Sequence, residues 1–307
     1  MRRDVQVLMA TYNGAQFVKA QLESLRAQTM AARLRLLVRD DHSTDGTPDL
    51  IRAFGAGALD VTVIEGANVG VVGSFLELMR AADESADFFF LCDQDDVWDA
   101  DKVAVAVAAL EPYRDADLPV LYCGRSVVAA ADLRPIGVTD DVPRGPSLAN
   151  ALVQNIAPGH TMAMNRALLT LAARTLVPER VVMHDCWLYL LACAVGRVIF
   201  DPVPHATYRL HDDNEAGYQV GRLGRAAGAL RRLFTLDRAQ WTRQARALGA
   251  AGVVPLRLDD QEVLFAFLDQ GSVIARLSYL RRFGLRYQRK VRPVAASLLF
   301  LAGRYRD

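Results

Sequence analysis

The chain has few cysteines and no apolar run long enough to cross a bilayer as a helix. None of its four cysteines forms a CxxC pair, and we expect them to be reduced, as is typical of a cytosolic protein. The longest late apolar run, residues 294–302, is too short to span a membrane. Residues 1–4 lead directly into a strand pattern, so we expect no signal peptide.

Several common signatures are also absent. The sequence has no GxGxxG turn, no GxxxxGK[ST] loop and no GxSxG elbow, which argues against dinucleotide binding, P-loop ATPases and the nucleophile elbow of hydrolases. Its histidines and cysteines do not fall at the spacings of zinc ligands. We see no internal repeats.

Charge is distributed unevenly along the 307 residues, although the net charge is only +1. Residues 215–307 carry 17 Lys and Arg against 7 Asp and Glu, whereas residues 1–214 carry 19 against 28. We therefore predict a folded domain over residues 1–214 and an arginine-rich helical region over residues 215–307. The charge excess in the second region indicates contact with an anionic surface, either membrane or nucleic acid.

Strand-like apolar runs alternate with helix-like segments through the N-terminal part of the chain. Residues 5–10, 34–39, 61–64 and 88–92 have strand patterns, and the segments between them repeat apolar residues at helical spacing. This order predicts an α/β domain with a doubly wound, mostly parallel sheet. Sheets of this kind bind ligands at the carboxyl ends of their strands, so the residues that follow the strands are candidates for a site.

The most informative of these strand ends is Asp93-Gln94-Asp95-Asp96, which follows the apolar run 88–92. Clustered carboxylates repel one another unless a cation or strong donors offset the cost. Asp93 and Asp95 are one residue apart, which suits two ligands of one divalent cation that also holds a phosphorylated ligand. A solvated turn that caps the next helix is the alternative, and it suits Asp96 in particular.

Polar residues at other strand and helix ends could also serve a substrate. An acid in the segment 40–47 could accept a hydrogen bond from a nucleotide base or ribose, and Asp185 at the start of an apolar helix could be a general base. His211 could ligate a metal or phosphate, and Arg209 could pair with phosphate. A helix cap or a surface turn is an equally simple explanation for each.

Turn and aromatic residues give weaker signals. Residues 159–161 could offer backbone N–H groups to a substrate or form a plain turn. Tyr12 and Trp98 could be substrate platforms, although core packing is the commoner role of such aromatics. Asn13 and Gln16 have the spacing of a capping box, which predicts a helix start there.

Taken in order, these motifs resemble the inverting family 2 glycosyltransferases. The matching segments are Ala10-Thr11-Tyr12-Asn13, residues 40–47, Asn68-x-Gly70 and Asp93-x-Asp95-Asp96. The resemblance implies the GT-A fold, with a nucleotide-sugar half over residues 1–125 and an acceptor half over residues 126–214. A finer pattern in residues 93–98, 183–185 and 208–214 resembles the bacterial rhamnosyltransferases that build cell-surface polysaccharides.

The resemblance also implies roles for the matched residues. Thr11 and Asp41 would contact the nucleotide base, and Asp93 would hold the ribose and approach a metal ion. Asp95 and His211 would bind Mg²⁺ or Mn²⁺ beneath the diphosphate. The other nucleotide-binding candidates are Tyr12, Asn13 and Asn68, and the sugar or acceptor candidates are Gln94, Trp98, Gly159, His160, His184 and Arg209.

Asp185 would be the base that deprotonates the acceptor hydroxyl. One carboxylate suffices for a single inverting displacement, because the metal neutralises the charge of the departing nucleoside diphosphate. The family often has an acidic residue before this aspartate, whereas this chain, like the rhamnosyltransferase subgroup, does not, since His184 stands there.

The sequence therefore predicts a metal-dependent inverting transferase that moves L-rhamnose from dTDP-L-rhamnose onto a hydroxyl of a lipid-linked or growing polysaccharide. One alternative is a transferase of another sugar from a UDP- or GDP-donor. Another is a non-catalytic partner of the same fold that binds lipid or polysaccharide. A sugar nucleotidyltransferase is disfavoured because the N-terminal segment lacks a Gly-rich loop with nearby Arg and Lys.

The arginine-rich region suggests where such an enzyme would act. Arginines recur with apolar residues over residues 222–246 and 276–292, as in basic amphipathic helices that lie on anionic membranes. We predict peripheral attachment to the cytoplasmic face of the inner membrane, with no nucleic-acid partner. A solvated helical bundle or an oligomer interface is the alternative.

Overall fold

The computed structural model describes residues 3–30, 33–55, 59–211, 237–288 and 293–307. One nine-stranded sheet organises the first 209 residues. Its strands are β1 (Asp4–Thr11), β2 (Arg33–Asp40), β3 (Asp60–Glu65), β4 (Phe88–Asp93), β5 (Val97–Trp98), β6 (Val120–Ala129), β7 (Pro135–Val138), β8 (Ala163–Asn165) and β9 (Arg197–Arg209).

The strand order is β3-β2-β1-β4-β8-β6-β9-β5, with β7 paired to β6. Strands β1 to β4 pair with one another in parallel, because a helix carries the chain back between successive strands. Strand β8 enters antiparallel between β4 and β6 and joins the two halves of the sheet. The predicted α/β class is confirmed, and the carboxyl ends of β1, β2 and β4 share one edge.

Helices cover both faces of this sheet. They are α1 (Val18–Arg26), α2 (Thr47–Gly55), α3 (Gly70–Ala81), α4 (Lys102–Leu110), α5 (Leu148–Ala151), α6 (Arg166–Thr175) and α7 (His184–Val195). Alternate residues of β4 enter two separate cores, with Phe88 and Phe90 on one side and Phe89 and Leu91 on the other. Burying each such side chain stabilises the fold by about 1.5–3 kcal/mol, which fixes the strand beneath the acidic residues that follow it.

The predicted capping box at Asn13 is wrong. Helix α1 begins at Val18, and its N-cap residue Phe17 makes no side-chain cap hydrogen bond. Asn13 has φ 46°, a left-handed conformation that asparagine tolerates, and its side-chain oxygen accepts from the Thr44 N–H at 2.9 Å. Asn13 therefore joins the loop after β1 to the loop after β2.

The C-terminal region is helical, as predicted, wherever the structure describes it. Its helices are α8 (Ala239–Ala250), α9 (Leu258–Leu268), α10 (Val273–Arg282) and α11 (Pro293–Leu301). This region is tied to residues 126–211, since Asn150 donates to the Arg286 carbonyl at 2.6 Å and Gln244 accepts from the Val182 N–H at 2.9 Å. The predicted domain boundary and arginines 222–232 lie outside the described residues.

Several of the predicted surface arginines pair with other groups of the chain. Arg276 is buried and donates to the carbonyls of Leu301 and Gln270, so its assignment to an exposed basic stripe is wrong. Arg243 and Arg246 both pair with Asp307. None of the described helices is long and apolar enough to cross a membrane, and all four cysteines are free thiols.

Candidate active site

The first group of predicted site residues meets at the carboxyl ends of β1 and β2. Thr11 donates to Asp40 at 2.8 Å, and Asn68 donates to the Asp41 carbonyl at 3.2 Å. The Asp41 carboxylate accepts from the N–H groups of Val69 and Gly70 at 2.8 and 2.9 Å. Asp41 therefore fixes the start of α3 and the loop that carries Asn68, and this edge forms a single hydrogen-bonded unit.

Arg39 holds this unit together, and sequence analysis missed it. Its side chain is 1% exposed and pairs with Asp41 and with Glu77, the latter at 2.7 Å. It also donates to the Ala67 carbonyl at 2.6 Å. An arginine directly after the apolar run 36–38 of β2 was the available signal, because a buried guanidinium requires this kind of partner set.

Gln94, a predicted sugar or acceptor residue, joins the tips of β4 and β1. Its amide accepts from the Tyr12 N–H at 3.0 Å and donates to the Tyr12 carbonyl at 2.9 Å. A Cβ at Gly14 would lie 2.0 Å from the Gln94 side-chain oxygen, so only glycine permits this approach. The Tyr12 ring itself is 51% exposed and remains open to a ligand.

Trp98, another predicted substrate contact, lies in the core. It is 3% exposed, packs against Phe90, and has the Lys102 ammonium 4.6 Å from its ring centroid. A ring enclosed in this way cannot be a surface platform for a sugar. Its role is to close the core beneath the acidic segment.

Asp95 and His211, predicted as metal ligands, are brought together by the fold. The Asp95 carboxylate lies 2.7 Å from His211 Nε2. Strand β5 pairs with β9 at Val97 and Thr207, which delivers the end of β9 to the acidic segment. The two side chains are hydrogen-bonded to each other, and a carboxylate and an imidazole are both common ligands of divalent metal ions.

Asp93, the third predicted ligand, lies in a second group with Asp96 and His160. Ligand atoms of these three residues all lie within 4.8 Å of one another. Asp96 is fully buried, accepts from the Arg209 N–H at 3.1 Å, and leaves its other oxygen without a hydrogen-bond partner, 3.4 Å from His160 Nδ1. Burial and the charges of Asp95 and Asp93 raise the pKa of Asp96 well above its usual range.

A proton or a cation offsets the free-energy cost of a buried carboxyl oxygen that has no hydrogen-bond partner. The residues present therefore fit a divalent ion at this edge, with Asp93 and Asp95 from the acidic segment and His211 or His160 as nitrogen donors. The alternative role of Asp96, in a solvated turn that caps the next helix, does not match its position. Its complete burial instead makes it part of the cluster.

His160 connects this cluster to the acceptor half. Its Nε2 lies 2.6 Å from the Ser126 hydroxyl, its ring stacks on Tyr208, and its carbonyl accepts from Lys102 at 2.9 Å. Burial and the Lys102 charge lower the pKa of His160 to about 3, so its imidazole is neutral. A neutral imidazole keeps one nitrogen available as an acceptor.

Asp185, the predicted base, lies in the first turn of α7. Its carboxylate accepts from the Cys186 N–H at 2.6 Å. Burial raises the pKa of Asp185 to about 6, against hydrogen bonds from Cys186, the Gly159 backbone and the Asn155 side chain that favour the charged form. Asn155 was not among the predicted residues. A carboxylate tuned in this way can accept a proton near neutral pH.

His184 and Gly159 pack beside this base. The His184 ring stacks on Phe75 at 4.0 Å, and burial lowers the pKa of His184 to about 3. A Cβ at Gly159 would lie 2.9 Å from His184 Nε2 and 3.8 Å from the Asp185 Cβ. Gly159 is therefore required for backbone approach to the base.

A single short turn, Gly159–Thr161, thus touches both parts of the site. Gly159 contacts Asp185, and its neighbour His160 belongs to the acidic cluster. Consecutive Cα atoms are about 3.8 Å apart, so the base and the cluster are held in fixed relation by one peptide unit. This arrangement could place a proton acceptor and a bound cation around one substrate.

Comparison with known proteins agrees with this geometry. Residues 6–145 match the model of the family described as "Glycosyl transferase family 2". The dTDP-rhamnosyl transferase RfbG of Shigella flexneri is 26% identical over 224 residues, which cover 69% of this chain and 74% of that protein. An uncharacterized protein of Mycobacterium tuberculosis is 23% identical over 211 residues, 67% of this chain but only 58% of the relative's length.

Two solved structures show the fold. S. aureus TarS 1–349 in complex with UDP-GlcNAc has a TM-score of 0.62 at 15% identity, covering 92% of this chain and 73% of that one. The mannosyltransferase PcManGT from Pyrobaculum calidifontis, in complex with GDP-Man and Mn²⁺, has a TM-score of 0.53 at 19% identity, covering 99% and 87%. The predicted GT-A fold is confirmed, and residues 6–145 are similar to the glycosyl transferase family 2 model, which spans a little under half of the chain.

Proposed function

We propose that the protein is a metal-dependent inverting glycosyltransferase that transfers L-rhamnose from dTDP-L-rhamnose to a hydroxyl of a lipid-linked or growing polysaccharide. The observation that carries the proposal is the turn Gly159–Thr161, which contacts a carboxylate with a pKa of about 6 through one residue and the acidic cluster through the next. A base and a cation site at that spacing suit a displacement in which a proton and an anion leave on opposite sides.

The chemistry assigns distinct tasks to the two parts. A bound Mg²⁺ or Mn²⁺, held by Asp95 and His211 with Asp93, would neutralise the charge of the leaving diphosphate. Asp185 accepts the proton of the acceptor hydroxyl as its oxygen bonds to the anomeric carbon and the bond from that carbon to the diphosphate breaks. The Gly159 N–H holds the Asp185 carboxylate in place for this transfer.

The donor is the finer part of the proposal. It is supported by the similarity to RfbG, a dTDP-rhamnosyl transferase, and by the resemblance of residues 93–98, 183–185 and 208–214 to rhamnosyltransferases. The structural neighbours are described with UDP-GlcNAc or GDP-Man, so a UDP- or GDP-sugar donor is the runner-up. The retained base argues against a non-catalytic binding protein.

A thermal-shift screen with Mn²⁺ tests the donor. We expect dTDP-L-rhamnose to raise Tm more than UDP-GlcNAc or GDP-mannose, because a ligand at about 100 times its Kd stabilises the native state by about 2.7 kcal/mol. Omitting Mn²⁺ is the control and should reduce the shift. A larger shift with another nucleotide sugar would reassign the donor, and no shift with any of them would contradict the function itself.

We propose further that the C-terminal helices rest on an anionic membrane. Large apolar side chains are strongly exposed there, including Leu258 at 76%, Ile274 at 80% and Leu298 at 64%. Ile274 also lines a groove of about 430 Å³ whose other residues are Leu277, Ser278, Arg281 and Arg282. Apolar side chains beside exposed guanidinium groups match the acyl and phosphate layers of such a surface.

Co-sedimentation with vesicles of phosphatidylglycerol and phosphatidylcholine tests this contact. We expect Ile274→Asp to weaken binding about tenfold, because burying one isoleucine contributes about 1.5–3 kcal/mol. Val203, an apolar residue of β9 that is 54% exposed, supplies the matched control, and Val203→Asp should bind as the wild type does. Failure of the wild type to bind anionic vesicles, or equal binding to neutral ones, would remove the membrane proposal.

A further inference from the structure

Arg209 is a buried cation that lacks a counter-ion within the described structure. Its side chain is only 6% exposed, yet Nε and Nη2 have no hydrogen-bond partner. The guanidinium lies 5.1 Å from the ring centroid of Phe17, and no ion pair joins it to any described carboxylate. The hydrogen bond from Arg209 to Asp96 uses the backbone N–H and leaves the side chain unsatisfied.

The contact with Phe17 does not offset this burial. A cation over an aromatic ring gains about 2 kcal/mol when desolvated, whereas removing an ion from water costs several kcal/mol. The two other buried arginines in the described residues are well partnered, Arg39 by two carboxylates and Arg276 by two carbonyls. Arg209 is therefore the exception, and its unsatisfied donors point to an anion that binds there.

The surroundings of Arg209 identify where that anion would lie. The ring of Phe17 is shared, because His211 stacks on it at 4.4 Å while Arg209 lies over it. His211 in turn lies 2.7 Å from the Asp95 carboxylate. Arg209 and the candidate cation ligand His211 therefore contact the same ring, which places the guanidinium in the neighbourhood of an anion bound to a metal ion there.

We infer that Arg209 binds the diphosphate of the nucleotide-sugar donor, an inference that rests on the proposed function. The planar fork of a guanidinium donates two parallel hydrogen bonds to phosphate oxygens. As the bond between the anomeric carbon and the diphosphate oxygen breaks, the electron pair stays on that oxygen and the Arg209 N–H groups donate to the resulting anion. Of the two roles that the sequence leaves open for Arg209, this inference favours the contact with phosphate over a contact with the sugar or the acceptor.

Calorimetric titration of the full-length protein with dTDP, and in parallel with UDP, in the presence of Mg²⁺ tests the inference. We expect Arg209→Gln to weaken the Kd of the nucleotide that binds by about 10- to 100-fold, the usual range for hydrogen bonds to charged groups. Arg209→Lys keeps the charge but loses the fork, so it should recover part of the affinity. Arg197→Gln is the matched control, since Arg197 lies on the same strand over the Tyr113 ring.

Thermal melting of the apo proteins separates ligand binding from a structural role. An unpaired buried cation destabilises the free enzyme, so Arg209→Gln should leave Tm unchanged or raise it. A lower Tm with unchanged nucleotide affinity would overturn the inference and make Arg209 a structural residue. If the wild type binds dTDP or UDP and Arg209→Gln binds the same nucleotide equally well, only the role of Arg209 is contradicted. If the wild type binds neither nucleotide, the role of Arg209 and the proposed dTDP and UDP donors are all contradicted.

Discussion

Replacement of Asp185 by Asn is expected to lower kcat by about 10²- to 10⁴-fold, the usual contribution of a general base. The amide cannot accept the proton of the acceptor hydroxyl, while the acidic cluster and the edge of β1 and β2 are untouched. The Kd for dTDP should therefore stay within about twofold of the wild type. The measurements are nucleoside diphosphate release and calorimetric titration, and normal turnover by Asp185→Asn would show that another group is the base.

The pH dependence of kcat/KM gives a second test of Asp185 as the general base. The pKa of Asp185 is about 6, so kcat/KM should rise with pH through that value and level off above it, where the carboxylate is charged. His160 and His184 do not contribute to this rise of kcat/KM with pH, because burial lowers the pKa of each to about 3. Asn155→Leu removes a hydrogen bond to the charged Asp185 carboxylate and should move the rise of kcat/KM to higher pH.

The raised pKa of Asp185 also predicts a stability effect with a definite sign. The folded-state pKa lies above the ordinary value of 3.8, so folding favours the neutral acid. The charged carboxylate therefore lowers the free energy of unfolding, fully above about pH 6 and progressively less as the pH falls toward 4. Asp185→Asn should therefore raise the free energy of unfolding by about 3 kcal/mol at pH 8, at 1.36 kcal/mol per pKa unit, and by little at pH 3.5. Equal effects at both pH values would contradict this linkage.

Replacement of Asp95 by Ala is expected to abolish the stimulation of dTDP binding by Mn²⁺. It removes the carboxylate that lies 2.7 Å from His211, and with it a ligand that brings the ion to the diphosphate. Asp99→Ala is the matched control, since Asp99 is an exposed acid four residues along the same segment. We expect calorimetric titrations of dTDP with and without Mn²⁺ to differ for the wild type and for Asp99→Ala, and to coincide for Asp95→Ala.

Unchanged titration curves for Asp95→Ala would show that the ion binds elsewhere in the cluster. Asp96→Asn then becomes informative, because the orphaned oxygen of Asp96 faces His160 and lies within reach of Asp93. Loss of Mn²⁺ stimulation in Asp96→Asn alone would place the ion on Asp93, Asp96 and His160. The outcome therefore distinguishes the two groups of ligands that the fold assembles.

Local patterns in the sequence were sufficient to locate the main strands and the residues at their ends. The apolar run 88–92 and its acidic continuation became β4 and the cluster, and the apolar helix containing Asp185 became α7. These features depend on residues that are close in the chain. For the same reason, position at a strand end or helix start identified Asp95 and Asp185 as candidates without any knowledge of the tertiary structure, whereas Thr11 became a candidate only through the family resemblance.

Other features depend on pairings between distant segments and could not be predicted from local patterns, although the family resemblance already implied that Asp95 and His211 share a metal ion. His211 reaches Asp95 only because β9 pairs with β5, and the Gln94 amide is occupied by Tyr12 only because β4 lies beside β1. The burial of Arg276 likewise depends on α11 packing near α10. Composition counted all the C-terminal arginines as equivalent, whereas the fold determines which are satisfied internally.

Transfer by the proposed mechanism requires that a cation and the donor diphosphate meet opposite Asp185. A crystal of the protein grown with dTDP and Mn²⁺, measured for the anomalous signal of manganese, tests this directly. We predict a manganese peak bound by Asp95 and His211, with the diphosphate between the ion and Arg209 and the Asp185 carboxylate across the cleft. A nucleotide bound away from the carboxyl ends of β1 and β4, or a manganese peak that touches none of the cluster residues, would contradict it.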